Sequence, residues 1–345
     1  VGTGLIGSTF LQQLANQRQQ LIDQFKLELN VAGLSNSRKM LLNEDGIDLN
    51  GWKTALDSDG KDADIEAFIA SMKEMNLSNS VFIDNTADEH IPGHYAQILS
   101  SNISLVTPNK VATSASNEEY KRLKKLAADR KIFFKYETNV GAGLPIISTL
   151  QNLINSGDKI LKIQAVMSGS VSYIFNNFKE GVPFSSLVVK ARELGYTEPD
   201  PREDLSGADV RRKIIILTRE SGYDIESDAV DLNAVLPDHL MDAKDVKGFL
   251  ELLPDYDNEM ALRASAAASA GKVLRYIGTM EEGRAKISIE EVGSESPFYS
   301  LDGSDNLFII TTQRYKTRPI IVRGPGAGAE VTAAGVFADV LTAFV

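Results

Sequence analysis

The sequence predicts an α/β protein in which a doubly wound parallel sheet is joined to a second, α+β domain with a largely antiparallel sheet. Three observations support this prediction. Glycines at the start of the chain precede an amphipathic run over residues 6–22. Helical and extended patterns then alternate as far as about residue 155. Towards the end, extended segments over 273–322 follow one another through short turns, which indicates antiparallel pairing.

The composition is ordinary for a globular protein and narrows the choice of partners. The 345 residues, 43% of them hydrophobic, suffice for two domains with a sizeable core. A net charge of −11 argues against nucleic acid or an anionic membrane as a partner. No apolar run is long enough to span a membrane, and no signal peptide is evident. The chain has no cysteine, which favours a reducing, cytoplasmic setting.

The first residues have the GxGxxG spacing of a Rossmann-type dinucleotide-binding unit. Gly2, Gly4 and Gly7 permit a tight turn, close approach of the backbone to a pyrophosphate, and close packing of helix on strand. The strand that normally precedes such a motif would end at Val1. We therefore expect the native polypeptide to start further upstream.

The second strand of this unit is predicted over Leu27–Leu34. The loop that follows contains Arg38 and no acid, whereas NAD-specific units usually place an acid there for the ribose hydroxyls. This loop leaves room for a 2′-phosphate, so the cofactor is NADP or NAD. The alternative is that Arg38 is only a surface loop residue. The next segment, Leu49–Leu56, is predicted to be a surface insertion that carries the single tryptophan, Trp52.

Two further strands end at polar residues. One, over 81–84, is followed by Thr86, and another, over 103–106, runs into Lys110. Ligands of doubly wound sheets bind at the carboxyl ends of the strands, which makes both residues candidates for a binding crevice. Lys110 equally suits the exposed start of a helix. His90 and His94 have helical spacing, but the proline and glycine between them disfavour a metal site.

The loop from Glu137 to Pro145 reads ETNVGAGLP. Its glycines and its proline predict a constrained loop or a domain hinge. Backbone carbonyls arranged around one carboxylate can also bind a hard cation. Both interpretations stay open at the level of the sequence.

The most informative stretch is Gly195–Lys213, GYTEPDPREDLSGADVRRK. Its prolines predict a stiff, extended loop lined with acids, followed by a helix that opens at Ser206 with Asp209 as its capping-box partner. Asp209 and Lys213 are four residues apart and share one face of that helix. The pair can move a proton beside an amino-acid substrate, but the same spacing is typical of an ordinary surface salt bridge.

The chain resembles the homoserine dehydrogenase family over essentially the whole length of the chain, and five blocks of residues carry the resemblance. The blocks are TPNK (107–110), ETNVGAGLP (137–145), SGSVSYIF (168–175), residues 195–213, and GAGAEVTAAGVFAD (326–339). The likeness is greatest to the dehydrogenase half of bifunctional aspartate kinase–homoserine dehydrogenases. It implies NAD(P)H-dependent interconversion of L-aspartate 4-semialdehyde and L-homoserine in threonine and methionine biosynthesis, and an aspartate kinase domain upstream.

The resemblance also implies roles for individual residues. Lys213, Asp209 and Lys110 are the implied catalytic residues. The implied substrate-binding residues are Glu198, Asp209 and Lys110. The implied cofactor-binding residues are Gly2, Gly4, Leu5, Gly7, Thr86, Lys110, Gly195 and Gly328. The composition of the loop after the second predicted strand adds Arg38 to this set. The family's sodium site corresponds to Glu137 with the carbonyls of Val140, Ala142 and Leu144.

The expected organisation has three segments. Residues 1–145 form the dinucleotide-binding domain, 146–328 the catalytic and dimerisation domain, and 329–345 a C-terminal helix that returns to the first domain. We expect a homodimer through the second domain, since a sheet with one uncovered face needs a partner.

Two rival functions can be weighed from the sequence. An acylating semialdehyde dehydrogenase needs a covalent thiolate, which a chain without cysteine excludes. A non-catalytic NADP-binding module is disfavoured because Glu198, Asp209, Lys213 and Lys110 are all present.

Overall fold

The computed structural model describes residues 1–342 and 344. The backbone divides into two compact units. One comprises Val1–Gly143 together with the segment that begins at Ala327, and the other comprises Leu144–Gly326. Each unit has its own sheets and its own packed helices.

The first unit is built around a parallel sheet. Its strands are β1 (Gly33–Ser35), β2 (Lys39–Leu42), β3 (Lys61–Asp62), β4 (Val81–Ile83), β5 (Ser104–Val106) and β6 (Phe134–Lys135), and its first helices are α1 (Leu5–Phe25), α2 (Trp52–Asp59), α3 (Ile65–Met75), α4 (Tyr95–Ser100) and α5 (Asn117–Arg130). Strands β4, β5 and β6 pair in parallel, and β1–β3 form a separate antiparallel sheet. The predicted parallel sheet is confirmed.

The last helix of the chain, α14 (Ala329–Leu341), packs against α1 in this unit. Phe10 and Phe337 meet edge to face, with their ring centroids 5.8 Å apart, in a core that also includes Leu14 and Val336. The helix was predicted to run to about Phe344 and ends at Leu341. Ala343 and Val345 lie outside the described residues.

The prediction of a second strand over Leu27–Leu34 is wrong for most of its length. Only Gly33–Ser35 is strand, and it pairs with β2 instead of joining the parallel sheet. A strand forms when its backbone groups have a neighbouring strand to bond. Residues 27–32 instead line a cavity of about 420 Å³, which residues of β4 also line.

The prediction that Leu49–Leu56 is a surface insertion is also wrong. Trp52 and Leu56 are buried in the core of the first unit, together with Leu34 and Ile47. A short helix, α2, directs both side chains inwards, since residues four apart share one face of a helix.

The second unit is a mixed sheet with helices against it. Its helices are α6 (Ile147–Asn155), α7 (Gly169–Asn177), α8 (Phe184–Glu193), α9 (Pro201–Leu205), α10 (Ala208–Glu220), α11 (Asp238–Met241), α12 (Val246–Leu252) and α13 (Asp257–Ser269), and its strands are β7 (Ile160–Val166), β8 (Asp231–Leu232), β9 (Val273–Glu281), β10 (Arg284–Val292), β11 (Asp305–Thr312) and β12 (Ile320–Pro325). The strand order is β12-β11-β7-β9-β10-β8, and only the β8–β10 pair is parallel. The predicted antiparallel character is confirmed.

Helices α7, α10 and α13 contact the sheet of the second unit. On the opposite side, a smaller cluster that contains Val166, Phe298 and Leu307 is covered by the segment after β10. Over residues 1–342, no helix combines the length and the apolar character needed to cross a membrane.

Candidate active site

A buried lysine is the centre of the candidate site in the second unit. Lys213 lies in the middle of α10, which packs against β9 and β10, and its side chain is only 11% exposed. Its Nζ donates to Asp209 Oδ2 and to the backbone oxygen of Met167, both at 2.7 Å. Met167 directly follows β7. Two elements therefore position the ammonium group.

The helix that carries this lysine does not begin as the sequence predicts. Asp200 caps the short helix α9 by accepting from the Arg202 N–H at 3.0 Å, and α10 opens at Ala208 after Gly207. The predicted capping box at Ser206 therefore does not form. Gly207 has a φ of +76°, and a Cβ there would lie 2.4 Å from the Tyr276 hydroxyl. Packing against the sheet thus forces a glycine break between the acidic loop and the lysine helix.

The alternative of an ordinary surface salt bridge can be judged by burial. Lys125 and Asp129 in α5 have the same spacing and the same 2.7 Å separation, with side chains 75% and 60% exposed. The Lys213 side chain is 11% exposed and that of Asp209 47%. The cation is thus taken out of water while its partner acid still reaches solvent, which is not the arrangement of a surface pair.

The acidic loop is held in shape by an acid to which the sequence analysis gave no role. Asp204 accepts from the Glu198 N–H at 2.8 Å and from the Ser170 hydroxyl at 2.7 Å. The Glu198 side chain itself is exposed. Asp200 is engaged by the Arg202 guanidinium at 2.6 Å, which lowers the pKa of Asp200. Asp200 and Asp204 therefore shape the loop, and Glu198 and Glu203 are its exposed acids.

Gly195 precedes this loop and ends the turn after α8. Its φ is +73°, and its N–H donates to Arg192 O at 3.0 Å. The next residue, Tyr196, stacks on Tyr173 with ring centroids 4.5 Å apart. This stacked pair, which the sequence analysis did not single out, orders the entry to the acidic loop.

The glycine-rich start of the chain forms a cradle suited to a phosphate group. A Cβ on Gly7 would lie 2.0 Å from Gly2 O, and a Cβ on Gly2 would lie 2.7 Å from the Asn85 carbonyl carbon. Gly4, at the N-cap of α1, is exposed and has no side chain to cover the first N–H groups of the helix. Free N–H groups at a helix N-terminus bind anions. These residues fit the pyrophosphate of a dinucleotide.

Other predicted cofactor residues also lie at loops and helix starts. Leu5 begins α1 and is 73% exposed, and Gly328 is the N-cap of α14 with a φ of +131°. Arg38 is exposed in the turn between β1 and β2, where its N–H donates to Asn36 Oδ1 at 2.8 Å. The turn is built by the Asn36 side chain, which leaves the guanidinium at the surface.

Thr86 and Lys110 follow neighbouring parallel strands, as predicted. The strands β4 and β5 pair in parallel, so the loops after them emerge at the same edge of the sheet. Both residues are half-buried. The Thr86 hydroxyl donates to Asp84 Oδ1 at 2.6 Å, and the oxygen of Lys110 accepts from the Ser114 hydroxyl at 2.7 Å.

The predicted cation loop contains a buried acid with a second acid beside it. Glu137 is 8% exposed, and its N–H donates to Asp339 Oδ2 of α14 at 2.8 Å. Burial raises the pKa of Asp339 to about 7, and the charge of Glu137 adds to the rise. Val140 and Ala142 are buried, and Ala142 has a φ of +53°. Among residues 1–342 and 344, no three His, Asp or Glu side chains cluster as metal ligands would.

Comparisons with known proteins show the family to which the chain is similar. The family model described as homoserine dehydrogenase matches residues 145–341, and the model of the homoserine dehydrogenase NAD binding domain matches residues 2–137. A homoserine dehydrogenase of Schizosaccharomyces pombe is 39% identical over 351 residues, which cover 99% of this chain and 93% of that protein.

Two further relatives differ in length and in what their names say. A bifunctional aspartokinase/homoserine dehydrogenase 2 of Zea mays, named as chloroplastic, is 44% identical over 99% of this chain, which spans only 38% of the maize protein. A solved structure of a Candida auris protein of unknown function has 35% identity and a TM-score of 0.91, with 99% of this chain and 96% of that one covered. With matching family models over both units, the chain belongs to the homoserine dehydrogenase family of NAD(P)-dependent oxidoreductases.

Proposed function

We propose that the chain catalyses the reversible, NAD(P)H-dependent reduction of L-aspartate 4-semialdehyde to L-homoserine. The observation that carries this proposal is the buried ammonium of Lys213, 2.7 Å from both Asp209 and Met167 O. Reduction of an aldehyde builds negative charge on its oxygen, and a positioned cation that can also give up a proton stabilises that charge.

Each step assigns a task to a residue of the chain. When bound, a reduced nicotinamide supplies the hydride to the aldehyde carbon. Lys213 donates a proton to the aldehyde oxygen, and Lys110 adds positive charge to the site. Asp209 holds the Lys213 ammonium and, because it is half exposed, gives it a route to regain a proton from solvent. Glu198 binds the α-ammonium of the substrate.

The cofactor would be held by the cradle at Gly2 and Gly7, with its phosphates on the N-terminus of α1. NADP is used at least as well as NAD, since the turn at Arg38 contains no acid to repel a 2′-phosphate. We also propose that the protein acts in the cytosol, because a chain without cysteine suits a reducing compartment.

The test compares two lysines with the same spacing from an aspartate. Lys213→Met should lower turnover of semialdehyde with NADPH by about 10²–10⁴, the usual contribution of general acid catalysis, and leave NADPH binding intact. Lys125→Met breaks the matching surface pair in α5 and should leave turnover at the wild-type value. Steady-state rates and an NADPH titration measure both effects. Near wild-type turnover by the Lys213 variant would refute the mechanism.

We also propose a monovalent cation, sodium, at Glu137 with the carbonyls of Val140, Ala142 and Leu144. The support is electrostatic, since two buried acids, Glu137 and Asp339, are adjacent, and a cation would offset their charge.

Sodium chloride should then raise the melting temperature above that in choline chloride at equal ionic strength. Glu137→Gln should abolish this difference and weaken activity without removing it. Equal melting temperatures of the wild-type protein in the two salts would argue against the cation.

A further inference from the structure

A buried polar cluster in the first unit is left unused by the proposed mechanism. Its centre is Asp84, which directly follows β4 and has no exposed surface. The Asp84 Oδ1 accepts from the Thr86 N–H at 2.8 Å and from the Thr86 hydroxyl at 2.6 Å. The Asp84 Oδ2 accepts from the Tyr95 hydroxyl at 2.6 Å and from Asn109 Nδ2 at 3.3 Å. Both carboxylate oxygens are therefore held by donors from different segments.

The two oxygens of Asp84 join two loops. One oxygen holds Thr86, in the loop after β4, and the other holds Asn109, in the loop after β5. Asn109 immediately precedes Lys110, and its side chain spans that residue by accepting from the Val111 N–H at 3.1 Å. The Asn109 Nδ2 also donates to the backbone oxygen of Asp88 at 2.8 Å. This is a second bond between the Lys110 loop and the loop after β4.

Tyr95 and Thr107 add further hydrogen bonds to this connection between the two loops. The Tyr95 hydroxyl lies 3.0 Å from Thr107 Oγ1, and Thr107 Oγ1 in turn donates to Asp84 O at 2.9 Å and accepts from the Asn109 N–H at 2.9 Å. Burial together with the charge of Asp84 raises the pKa of Tyr95 well above its usual value, so the phenol stays a donor. Hydrogen bonds to a buried charge are among the stronger ones in proteins.

We propose that Asp84 is a positioning residue that sets the cofactor-facing Thr86 and the active-site Lys110 relative to each other. The proposal rests on the proposed function, which gives these two residues their roles. A carboxylate only accepts hydrogen bonds, so its two oxygens fix donors on both loops at once. Catalytic groups must be held in a narrow range of positions, and small displacements lower the rate strongly.

The variant Asp84→Asn tests this role because it keeps the shape of the side chain. The new amide group donates, so it faces the donors of one of the two loops and repels them. We expect a fall in kcat of about tenfold or more, together with weaker NADPH binding, because a displacement of about 1 Å in a site can lower the rate by about 10². Rates are given per mole of folded enzyme, and NADPH affinity is measured directly by fluorescence titration.

Asp158 in the second unit supplies a matched control. It is also buried, and it accepts from the Thr312 hydroxyl at 2.7 Å and from the Lys159 N–H at 2.8 Å. It precedes β7, whereas the backbone oxygen that holds Lys213 follows that strand at Met167. Asp158→Asn should lower the melting temperature and leave kcat and NADPH affinity per folded enzyme unchanged.

A second variant separates the two loops. Asn109→Ala removes the donor on the Lys110 side and leaves Asp84 with its Thr86 and Tyr95 donors. It should lower kcat, while the dissociation constant of NADPH rises less than in Asp84→Asn, because Thr86 keeps both of its hydrogen bonds to Asp84. This split between the two constants is not expected from a general loss of stability.

The outcomes are distinct. An Asp84→Asn enzyme that loses melting temperature alone, as the Asp158 control does, overturns the proposal. If that variant does not fold, wild-type turnover by Asn109→Ala overturns it instead. A wild-type protein that fails to turn over the semialdehyde refutes the proposed function, and the NADPH affinities of wild type and Asp84→Asn still decide whether Asp84 holds Thr86 in place.

Discussion

Burial gives individual side chains properties that their residue types alone do not imply. Asp339 is 7% exposed and has a pKa of about 7, against a usual value of 3.8. Arg275 is 4% exposed and surrounded by backbone oxygens, among them those of Phe298 and Phe175 at 2.9 and 3.1 Å, and burial lowers its pKa to about 10. In both cases desolvation penalises the charged form.

A pH-dependent stability follows from Asp339. Its folded-state pKa is raised, so the native state holds this proton at pH values where the unfolded chain has lost it. In buffer without sodium, the contribution of Asp339 to the free energy of unfolding should therefore fall as the pH rises from about 4 to about 7. Asp339→Asn removes this titration and keeps an acceptor for the Glu137 N–H. The stability of the variant relative to the wild type should therefore increase across that range in urea titrations.

Asp129→Asn is the control for this experiment, because Asp129 is 60% exposed in a surface ion pair. Because Asp129 is not buried, any change with pH in its difference from the wild type should be smaller than that of Asp339→Asn. A constant difference for Asp339→Asn over the same range would contradict the raised pKa.

At the scale of elements, regular segments with a clear pattern were predicted well, and breaks set by tertiary contacts were not. The helices over 146–155 and 184–194 and the strand over 160–167 are found within a residue or so, as Ile147–Asn155, Phe184–Glu193 and Ile160–Val166. The break between α9 and α10 at Gly207 was not predicted, because it is caused by the close approach of Tyr276 from β9. Local patterns report the period of a helix, whereas its ends depend on neighbours distant in sequence.

The turn between β1 and β2 leads to a testable prediction about the preference for NADPH over NADH. If Arg38 pairs with a 2′-phosphate, Arg38→Ala should raise the KM for NADPH by about tenfold and leave that for NADH unchanged, because one charge-assisted hydrogen bond contributes about 1.5–3 kcal/mol. Steady-state kinetics with each cofactor measure this.

Arg18→Ala is the control for this prediction, since Arg18 is an exposed arginine of α1 that pairs with Glu28 at 2.9 Å. It should leave both constants unchanged. A strong preference for NADH in the wild type, unaltered by Arg38→Ala, would show that the turn does not select the cofactor.

At the scale of the whole molecule, the sheet of the second unit presents side chains that suit association of two copies. Ile309 in β11 pairs with Ile321 of β12 on one side and with Gln164 of β7 on the other, so these three side chains point to the same face. Ile321 is 51% exposed and lies on an edge strand. Ile309 is half-buried beside it, so the two isoleucines give this face an apolar patch of the kind found at interfaces.

We therefore predict a homodimer through this face. Light scattering at micromolar concentration should give twice the chain mass of 37.6 kDa, and Ile321→Glu should shift the protein towards the monomer. Leu262→Glu alters an equally prominent leucine, 74% exposed on α13, and should leave the mass unchanged. A monomeric wild-type protein would contradict the prediction.

The amino-acid sequence by itself determined the α/β class, the parallel and antiparallel sheets, and the family, because these follow from local periodicity and from motifs such as residues 195–213. Only the tertiary structure decided that Trp52 lies in a core, that residues 27–32 are not strand, and that Lys213 is buried beside a half-exposed Asp209. It also brought Asp84 together with Asn109, which lies in a separate loop. Burial and hydrogen-bond partners depend on which distant segments meet, and no local pattern records that.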